Sequence, residues 1–341
     1  MGIYLVKFKY LMQLLSDRNS HYWCRCGSLK IKTEVNRGLN KLEILKKRMV
    51  LNTSESKLLF LKRTGDEGET YVSKVLSERL EVQPFVLEDF LFEIDGSECQ
   101  IDFLVMFEYE CLLVEVKHYE GDFILGDEYI TKVDSKKKYP NPLAQLARAT
   151  NRLEKLFMRE NIRMKIVALV IYTHPSFYLY HARVDSRIVF LSQMKRFVGE
   201  LNQKQCRIGE RHKKIFERLN SLRLETSAYE KKIVYEYEDL KKCVTCVKCD
   251  GEMSRRNAGE RKFIYCNTCG VQEKLYVAIL RNVAELEYLF PEKKLTLTLV
   301  LEWVGGCISR QFLRNILEHS YVLVRTGRTS HYVRVNKDGN I

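Results

Sequence analysis

The stretch Cys99-Gln-Ile-Asp-Phe-Leu-Val-Met-Phe107, followed by the short polar step Glu108-Tyr-Glu110 and then Cys111-Leu-Leu-Val-Glu-Val-Lys-His-Tyr119, decides the fold. Two apolar, β-branched and aromatic runs separated by three polar residues spell two strands joined as a hairpin. Each run carries charge where a buried strand should carry none. Asp102 begins Phe-Leu-Val-Met, and a carboxylate there is costly to bury unless it meets a metal or a cation. Glu115 and Lys117 are two residues apart, so they project from one face of their strand. If the strands pair, Asp102 comes near Glu115. Two close carboxylates resist joint ionisation, and a divalent ion reverses that penalty. Hard oxygen ligands in a small site suit Mg²⁺ or Mn²⁺. Lys117 can then orient water and stabilise charge developing on phosphorus.

Around this pair the elements alternate. GDEGETYVSKVLSERL (65–80) has Tyr71, Val72, Val75, Leu76 and Leu80 at helical spacing, with Gly65 and Gly68 at or before its start and Glu69 in its first turn. PFVLEDFLFEI (84–94) reads as a strand. NPLAQLARATNRLEKLFMRE (141–160) reads as a helix with Pro142 near its first turn. KIVALVIYTH (165–174) reads as a buried strand, and RIVFLSQMKRFVGELN (187–202) as a short strand and a helix. The order predicts an α/β domain with a mixed sheet over 61–204.

Four short pieces, GDEGE (65–69), QID (100–102), VEVKHYEG (114–121) and NPLAQ (141–145), resemble in order a NERD (nuclease-related) domain, a branch of the PD-(D/E)xK nuclease superfamily. The resemblance covers about a third of the chain. It implies a restriction-endonuclease-like core in which Asp102, Glu115 and Lys117 occupy the metal-binding and catalytic positions. It also implies that Glu69 is the helix carboxylate that completes the metal site, and Gln145 the polar helix residue of the active site. His118 stands where the family frequently has Asn. The implied activity is metal-dependent hydrolysis of DNA phosphodiester bonds, in DNA processing or defence against foreign DNA. A non-catalytic DNA-binding or regulatory protein and an RNA-directed nuclease are the alternatives.

Cys246-Val-Lys-Cys249 and Cys266-Asn-Thr-Cys269 form C-x₂-C…C-x₂-C, each pair leading into a Gly-containing turn. Four thiolates at this spacing suit a structural Zn²⁺ and resemble a zinc ribbon. Cys243 offers an alternative ligand. The ribbon, 243–275, is short enough that its folding should depend on the metal. Cys24 and Cys26 form a weak C-x-C pair that is read as structural or incidental.

The remaining segments are read as a basic helical region over 1–60, a helical connector over 205–242 and a winged-helix-like domain over 276–341. In the last, Arg310 and Arg314 lie one turn apart on the reading helix, and Arg325 and Arg328 at the wing tip, as DNA contacts. The chain has 341 residues and a net charge of +13, which favours a polyanionic partner, DNA first and RNA second. No run reaches the ~18 apolar residues of a membrane helix. The start lacks a secretory cleavage site, and Val6 occupies the myristoylation Ser/Thr position, so a cytoplasmic protein without membrane contact is expected. The sequence is compatible with a homo-oligomer.

Overall fold

The computed structural model describes residues 30–31, 37–229, 233–257, 259, 262–327 and 330–334. Cys24, Cys26 and Arg328 lie outside these. The described residues divide into two compact units, one built from 37–59 and those from 233 on, the other from 30–31 and 60–229.

The second unit is organised on a six-stranded sheet. Its strands are β1 (Lys30–Ile31), β2 (Phe85–Ile94), β3 (Ser97–Met106), β4 (Glu110–Lys117), β8 (Lys165–Tyr172) and β10 (Ile188–Phe190), in that spatial order. β2, β3 and β4 are antiparallel neighbours, whereas β4–β8 and β8–β10 are parallel, so the sheet is mixed. Continuous apolar runs in β3, β4 and β8 follow from helices covering both faces. On one face lie α3 (Pro142–Arg159), through Leu146, Leu153 and Leu156, and α5 (Glu210–Ser221), whose Phe216 stacks on Phe85 with ring centroids 4.7 Å apart. On the other lie α2 (Thr53–Arg79), through Val72, Val75 and Leu76, and α4 (Met194–Asn202), through Phe197 and Leu201. β5 (Gly121–Leu125), β6 (Tyr129–Lys132) and β7 (Lys138–Pro140), which lie between β4 and α3, form a second sheet with β9 (Phe177–Tyr180), which follows β8, in the order β7, β6, β5, β9.

Two readings of the sequence change here. α2 is one helix of 27 residues, so Gly65 and Gly68 are interior to it and Glu69 is far from its first turn. An N-terminal dipole therefore does not account for Glu69. The expected helical connector contains a single helix, α5, which packs on the six-stranded sheet; from Leu222 to Lys241 no described residue is helical.

The first unit gathers α1 (Arg37–Arg48), a four-stranded sheet β11 (Val244–Thr245), β12 (Glu252–Ser254), β13 (Phe263–Cys266), β14 (Gln272–Lys274), the helices α6 (Leu275–Leu289), α7 (Leu297–Trp303) and α8 (Arg310–Leu317), and the hairpin β15 (Tyr321–Val324)–β16 (His331–Arg334). One core contains Leu45 from α1, Cys246, Met253, Ile264 and Cys266 from the cysteine-rich sheet, and Ile279, Trp303 and Leu317 from the helices. The cysteine-rich segment is thus not a free-standing ribbon: it buries apolar side chains in a core shared with the tail. A buried polar network ties α1 into this core. The fully buried Arg48 donates to Asn282 Oδ1 at 2.6 Å, Glu285 Oε2 at 3.0 Å and the Lys241 carbonyl at 2.9 Å, and its guanidinium lies 3.7 Å from the Trp303 ring centroid. Arg281 pairs with Glu273 at 2.8 Å and donates to the Thr245 carbonyl at 2.6 Å. Burial alone would raise the buried Glu285 carboxyl, but Lys47, Arg48 and Arg281 together hold it below the usual carboxylate range.

Candidate active site and cysteine cluster

The site lies where the sheet forks. β3 and β4 pair from Met106↔Cys111 to Phe103↔Val114, and there the pairing stops, while β4 continues to Lys117 against β8. The amide of Val116, without a β3 carbonyl, donates instead to Asp102 Oδ2 at 2.7 Å. The β2–β3 ladder also breaks at this level. It runs through Glu88↔Phe103 and resumes at Phe90↔Ile101, skipping Asp89 opposite Asp102, and Asp89 is held at φ 52°. Leu87 and Phe90, three apart, both enter the α3-side core, as do Leu104 and Ile101, so both strands shift their alternation here.

Glu115, buried, sits beside this break. Lys117 Nζ donates to Glu115 Oε1 at 2.5 Å, and Gln145 Nε2 donates to the same oxygen at 2.6 Å. Gln145 arrives from α3, whose start is fixed by Asn141. The Asn141 side chain accepts from the Leu143 amide at 2.9 Å and donates to the carbonyls of Gly126 and Asp127 at 2.8 and 3.0 Å. The NPLAQ segment therefore works as a cap at one end and a carboxylate clamp at the other.

Charge is concentrated in this notch. Burial pushes the Asp102 carboxyl well above its ordinary range, and the charges of Glu115 and Glu69 push the same way against the Val116 amide and Lys117. Burial, followed by the charges of Asp89, Asp66, Glu115 and Glu88, pushes Glu69 up to about 7. Lys117 is raised: burial lowers it, but Glu115 and its neighbours outweigh that and keep it a cation. Three carboxyl groups that resist joint ionisation, with oxygen donors only, fit a hard divalent cation such as Mg²⁺ or Mn²⁺. Among the described residues, however, only the four cysteines bring three or more ligand atoms within 4.8 Å of one another, so the carboxylates of Glu69, Asp102 and Glu115 stand less tightly drawn.

The sequence-expected set Glu69, Asp102, Glu115, Lys117 and Gln145 thus meets at one notch. Three further contributors escaped the sequence reading. Asp89 is the largest charge acting on Glu69, and the adjacent acids Glu88 and Asp89 inside the apolar run PFVLEDFLFEI were the available signal. Gly68 lets α2 approach β4 and β8: a Cβ there would lie 2.9 Å from His118 Cβ and from Thr173 Oγ1. Asn141 is the third. His118 hydrogen-bonds Thr173 Oγ1 through Nδ1 at 2.8 Å and meets His174 edge-on, with centroids 4.8 Å apart; burial and His174 lower its pKa, favouring the neutral ring.

The four cysteines form the second cluster. Cys246 and Cys269 sulphurs are 3.8 Å apart, and those of Cys249 and Cys266 3.4 Å. Backbone amides point at them: Lys248 N to Cys246 Sγ at 3.2 Å, and Thr268 N and Cys269 N to Cys266 Sγ at 3.4 Å each. Burial raises the Cys266 thiol, but these amides and the neighbouring thiols outweigh it and bring it to about 6. Gly251 lies so close to Thr268 that a Cβ would fall 2.5 Å from its hydroxyl. Cys243 is buried outside the cluster, its carbonyl accepting from Arg48 at 3.2 Å, so the alternative ligand is set aside.

The arginines expected to contact DNA belong to the first unit. Arg310 and Arg314 are exposed on α8, Arg310 donating to Thr298 Oγ1 at 2.6 Å; Arg325 is exposed after β15. Among the described residues, no helix is long and apolar enough to cross a membrane.

Comparison with known families finds one match: residues 64–173 fit the model of the nuclease-related domain, NERD. No curated protein and no solved structure matches the chain. The matched segment begins within α2 and ends one residue after β8, so it contains all five residues of the notch. The chain therefore carries a nuclease-related (NERD) domain with the PD-(D/E)xK-like fold over residues 64–173, together with a four-cysteine cluster compatible with a zinc ribbon.

Proposed function

We propose that the protein is a metal-dependent nuclease that hydrolyses DNA phosphodiester bonds, with Asp102, Glu115 and Glu69 as ligands of Mg²⁺ or Mn²⁺. The observation that carries this reading is the double hydrogen bond from Lys117 and Gln145 to Glu115 Oε1, beside the buried Asp102. It fixes Glu115 and leaves its Oε2 to face a metal, while the Val116 amide on Asp102 Oδ2 fixes Asp102 and leaves its Oδ1. A bound divalent ion supplies Lewis acidity toward a phosphoryl oxygen and lowers the pKa of water. The protein's own residues do the rest. Lys117, kept cationic by Glu115, positions the attacking water and stabilises negative charge accumulating on the phosphoryl oxygens. Gln145 holds Glu115 when Lys117 turns toward substrate. Water attacks phosphorus, the bond to the leaving ester oxygen breaks, and a proton reaches that oxygen.

In this reading Cys246, Cys249, Cys266 and Cys269 hold a structural Zn²⁺, all four positions being filled by protein. α6, α7, α8 and the β15–β16 hairpin, whose Tyr332 bridges Leu295, act as a winged-helix-like DNA-holding module, with Arg310, Arg314 and Arg325 against phosphates.

The test is cleavage of plasmid DNA with Mg²⁺ or Mn²⁺ by wild type and Lys117→Ala, with RNA as a parallel substrate. Metal-dependent DNA cleavage lost in the variant supports the reading. DNA binding with both proteins inert supports a binding-only protein, and cleavage of RNA alone an RNA-directed enzyme.

A further inference from the structure

The second sheet of the nuclease-bearing unit has a face that the proposed chemistry does not use. Its inner face is buried through Phe123, Ile130 and Phe177. Alternation turns the other residues outward. Tyr178 and Tyr180, two apart on β9, are 60% and 51% exposed, and Tyr129 on β6 is 45% exposed. The register sets a continuous row across all four strands: Tyr180 faces Ile124, Ile124 faces Thr131, and Thr131 faces Lys138. Lys138 lies 5.7 Å from the Tyr129 ring centroid. Exposed aromatic rings gathered on one sheet face mark an interaction site, whereas rings scattered singly need no explanation.

Two strands of this sheet lead straight into the notch. β5 begins at Gly121, just after Lys117, and β7 ends at Pro140, just before Asn141 and Gln145. We propose that the outer face of the β7–β6–β5–β9 sheet binds single-stranded DNA, stacking bases on Tyr178 and Tyr180, and so feeds a strand to the active site. This assignment rests on the DNA-nuclease reading above. The stacking faces of bases in a duplex are occupied by one another, whereas those of an unpaired strand are free, and aromatic platforms beside basic side chains recognise such strands with little sequence preference. Phosphate contact falls at the β7 end, where Lys136, Lys137 and Lys138 are exposed. The face also carries acid: Asp122 stands opposite Tyr178 at the end of the sheet that holds the lysine turn, and Asp127 and Glu128 lie in the β5–β6 turn at the other end, so the phosphates follow the lysine edge.

The experiment uses the full chain without added divalent metal. Binding of fluorescein-labelled oligo(dT) is followed by fluorescence anisotropy, with duplex DNA and oligo(rU) as the other arms, for wild type, Tyr178→Ala/Tyr180→Ala and Tyr178→Phe/Tyr180→Phe. Wild type should prefer oligo(dT) over duplex. The alanine pair should lose about tenfold or more in affinity for the strand, and the phenylalanine pair should stay within about twofold, because the ring alone stacks. Far-UV circular dichroism checks that the variants fold. Unchanged binding by the alanine pair, an equal loss in the phenylalanine pair, preference for duplex or for oligo(rU), or no strand binding by wild type overturns the assignment. Mg²⁺-dependent cleavage is measured separately: its absence with tyrosine-dependent strand binding intact counts against the nuclease reading alone, and cleavage with tyrosine-independent binding against the platform alone.

Discussion

Gly68 and His118 are pressed together across the α2–sheet interface so closely that a Cβ on Gly68 would sit 2.9 Å from the Cβ of His118, with Thr173 Oγ1 at the same distance. The neighbouring atoms belong to short, packed side chains, so something must shift. Gly68→Ala should push α2 away from the sheet and carry Glu69 with it. Overpacking of this kind costs ~1–3 kcal/mol, partly offset by the better helix propensity of Ala. The expected outcome is a lower urea midpoint together with weaker Mn²⁺ binding by calorimetry. An alanine variant as stable as wild type, with unaltered metal affinity, would show that the approach of α2 has slack.

Lys117 and Gln145 share one oxygen of Glu115, but their roles differ. Lys117→Ala removes the cation that the proposed mechanism places near the reacting phosphate and should cut kcat by about a hundredfold or more. Gln145→Ala removes a neutral hydrogen bond and should cost roughly tenfold or less, expressed mainly in the metal concentration needed for half-maximal rate. Steady-state cleavage over a Mg²⁺ titration separates the two. Equal losses in kcat at saturating metal would place Gln145 in the chemistry itself.

Glu69 makes the metal-free protein sensitive to pH. Its carboxyl is raised from 4.5 in the unfolded chain to about 7 in the folded one. Between those values the folded state holds a proton that the unfolded state lacks. Stability is therefore fully supported below about pH 4.5 and is lost as pH rises toward 7, by ~3 kcal/mol from this group alone. Without divalent metal, the thermal midpoint should fall between pH 5 and 8, and Mg²⁺ should restore it most at the upper end. Glu69→Gln should flatten the profile. Asp89→Asn, which removes the largest neighbouring charge, should move the descent to lower pH. A metal-free profile that rises over this range would contradict the assigned electrostatics.

The cysteine cluster and the shared core around it lead to a graded expectation for zinc. Because Cys246, Met253, Ile264 and Cys266 pack with α6 and its neighbours, removing zinc should destabilise the whole first unit rather than release one loop. Cys266→Ser should abolish about one zinc per chain by atomic absorption and lower the first unit's melting transition. Asp102→Asn should leave the zinc content unchanged.

Much of this was legible from residue type and spacing. Glu115 and Lys117, two apart in a strand too apolar to tolerate them, announced the notch, and Cys246, Cys249, Cys266 and Cys269 their cluster. β10, α3 and α4, and the order of helices and hairpin after Leu275, also followed from periodicity. What stayed hidden depended on long-range packing. Gly65 and Gly68 read as helix boundaries because Gly is a poor helix former, yet tertiary contact carries α2 through both. The shifted alternation at Asp89 and Asp102 cannot be inferred from period-two patterning, because it arises where two ladders break together. The charged run after Ser221 has helix-forming composition, but Leu224 and Ala228 donate instead to Leu91 and Glu98 of the sheet hairpin, which holds that segment in bends and turns.

Arg48 also reports on its partners. Arg48→Ala leaves Glu285 with Lys47 and Arg281 but opens a void under Trp303 and strips Asn282 of a donor, at a cost of about 3–5 kcal/mol. Arg48→Met, which fills the space without the charge, should recover part of it, and chemical denaturation of the pair measures the difference.

The embrace of Arg48 by residues numbered 241 to 303 has a temporal meaning. A ribosome delivers α1 first, then all of the segment from 60 to 231, and only afterwards the strands and helices that enclose α1. The segment that carries the nuclease-related domain has its own core and can close while synthesis continues. Until residues 241 to 303 emerge, Leu42, Leu45 and Arg48 wait without their native cover, and a chain stopped short of Trp303 would leave that early helix without it.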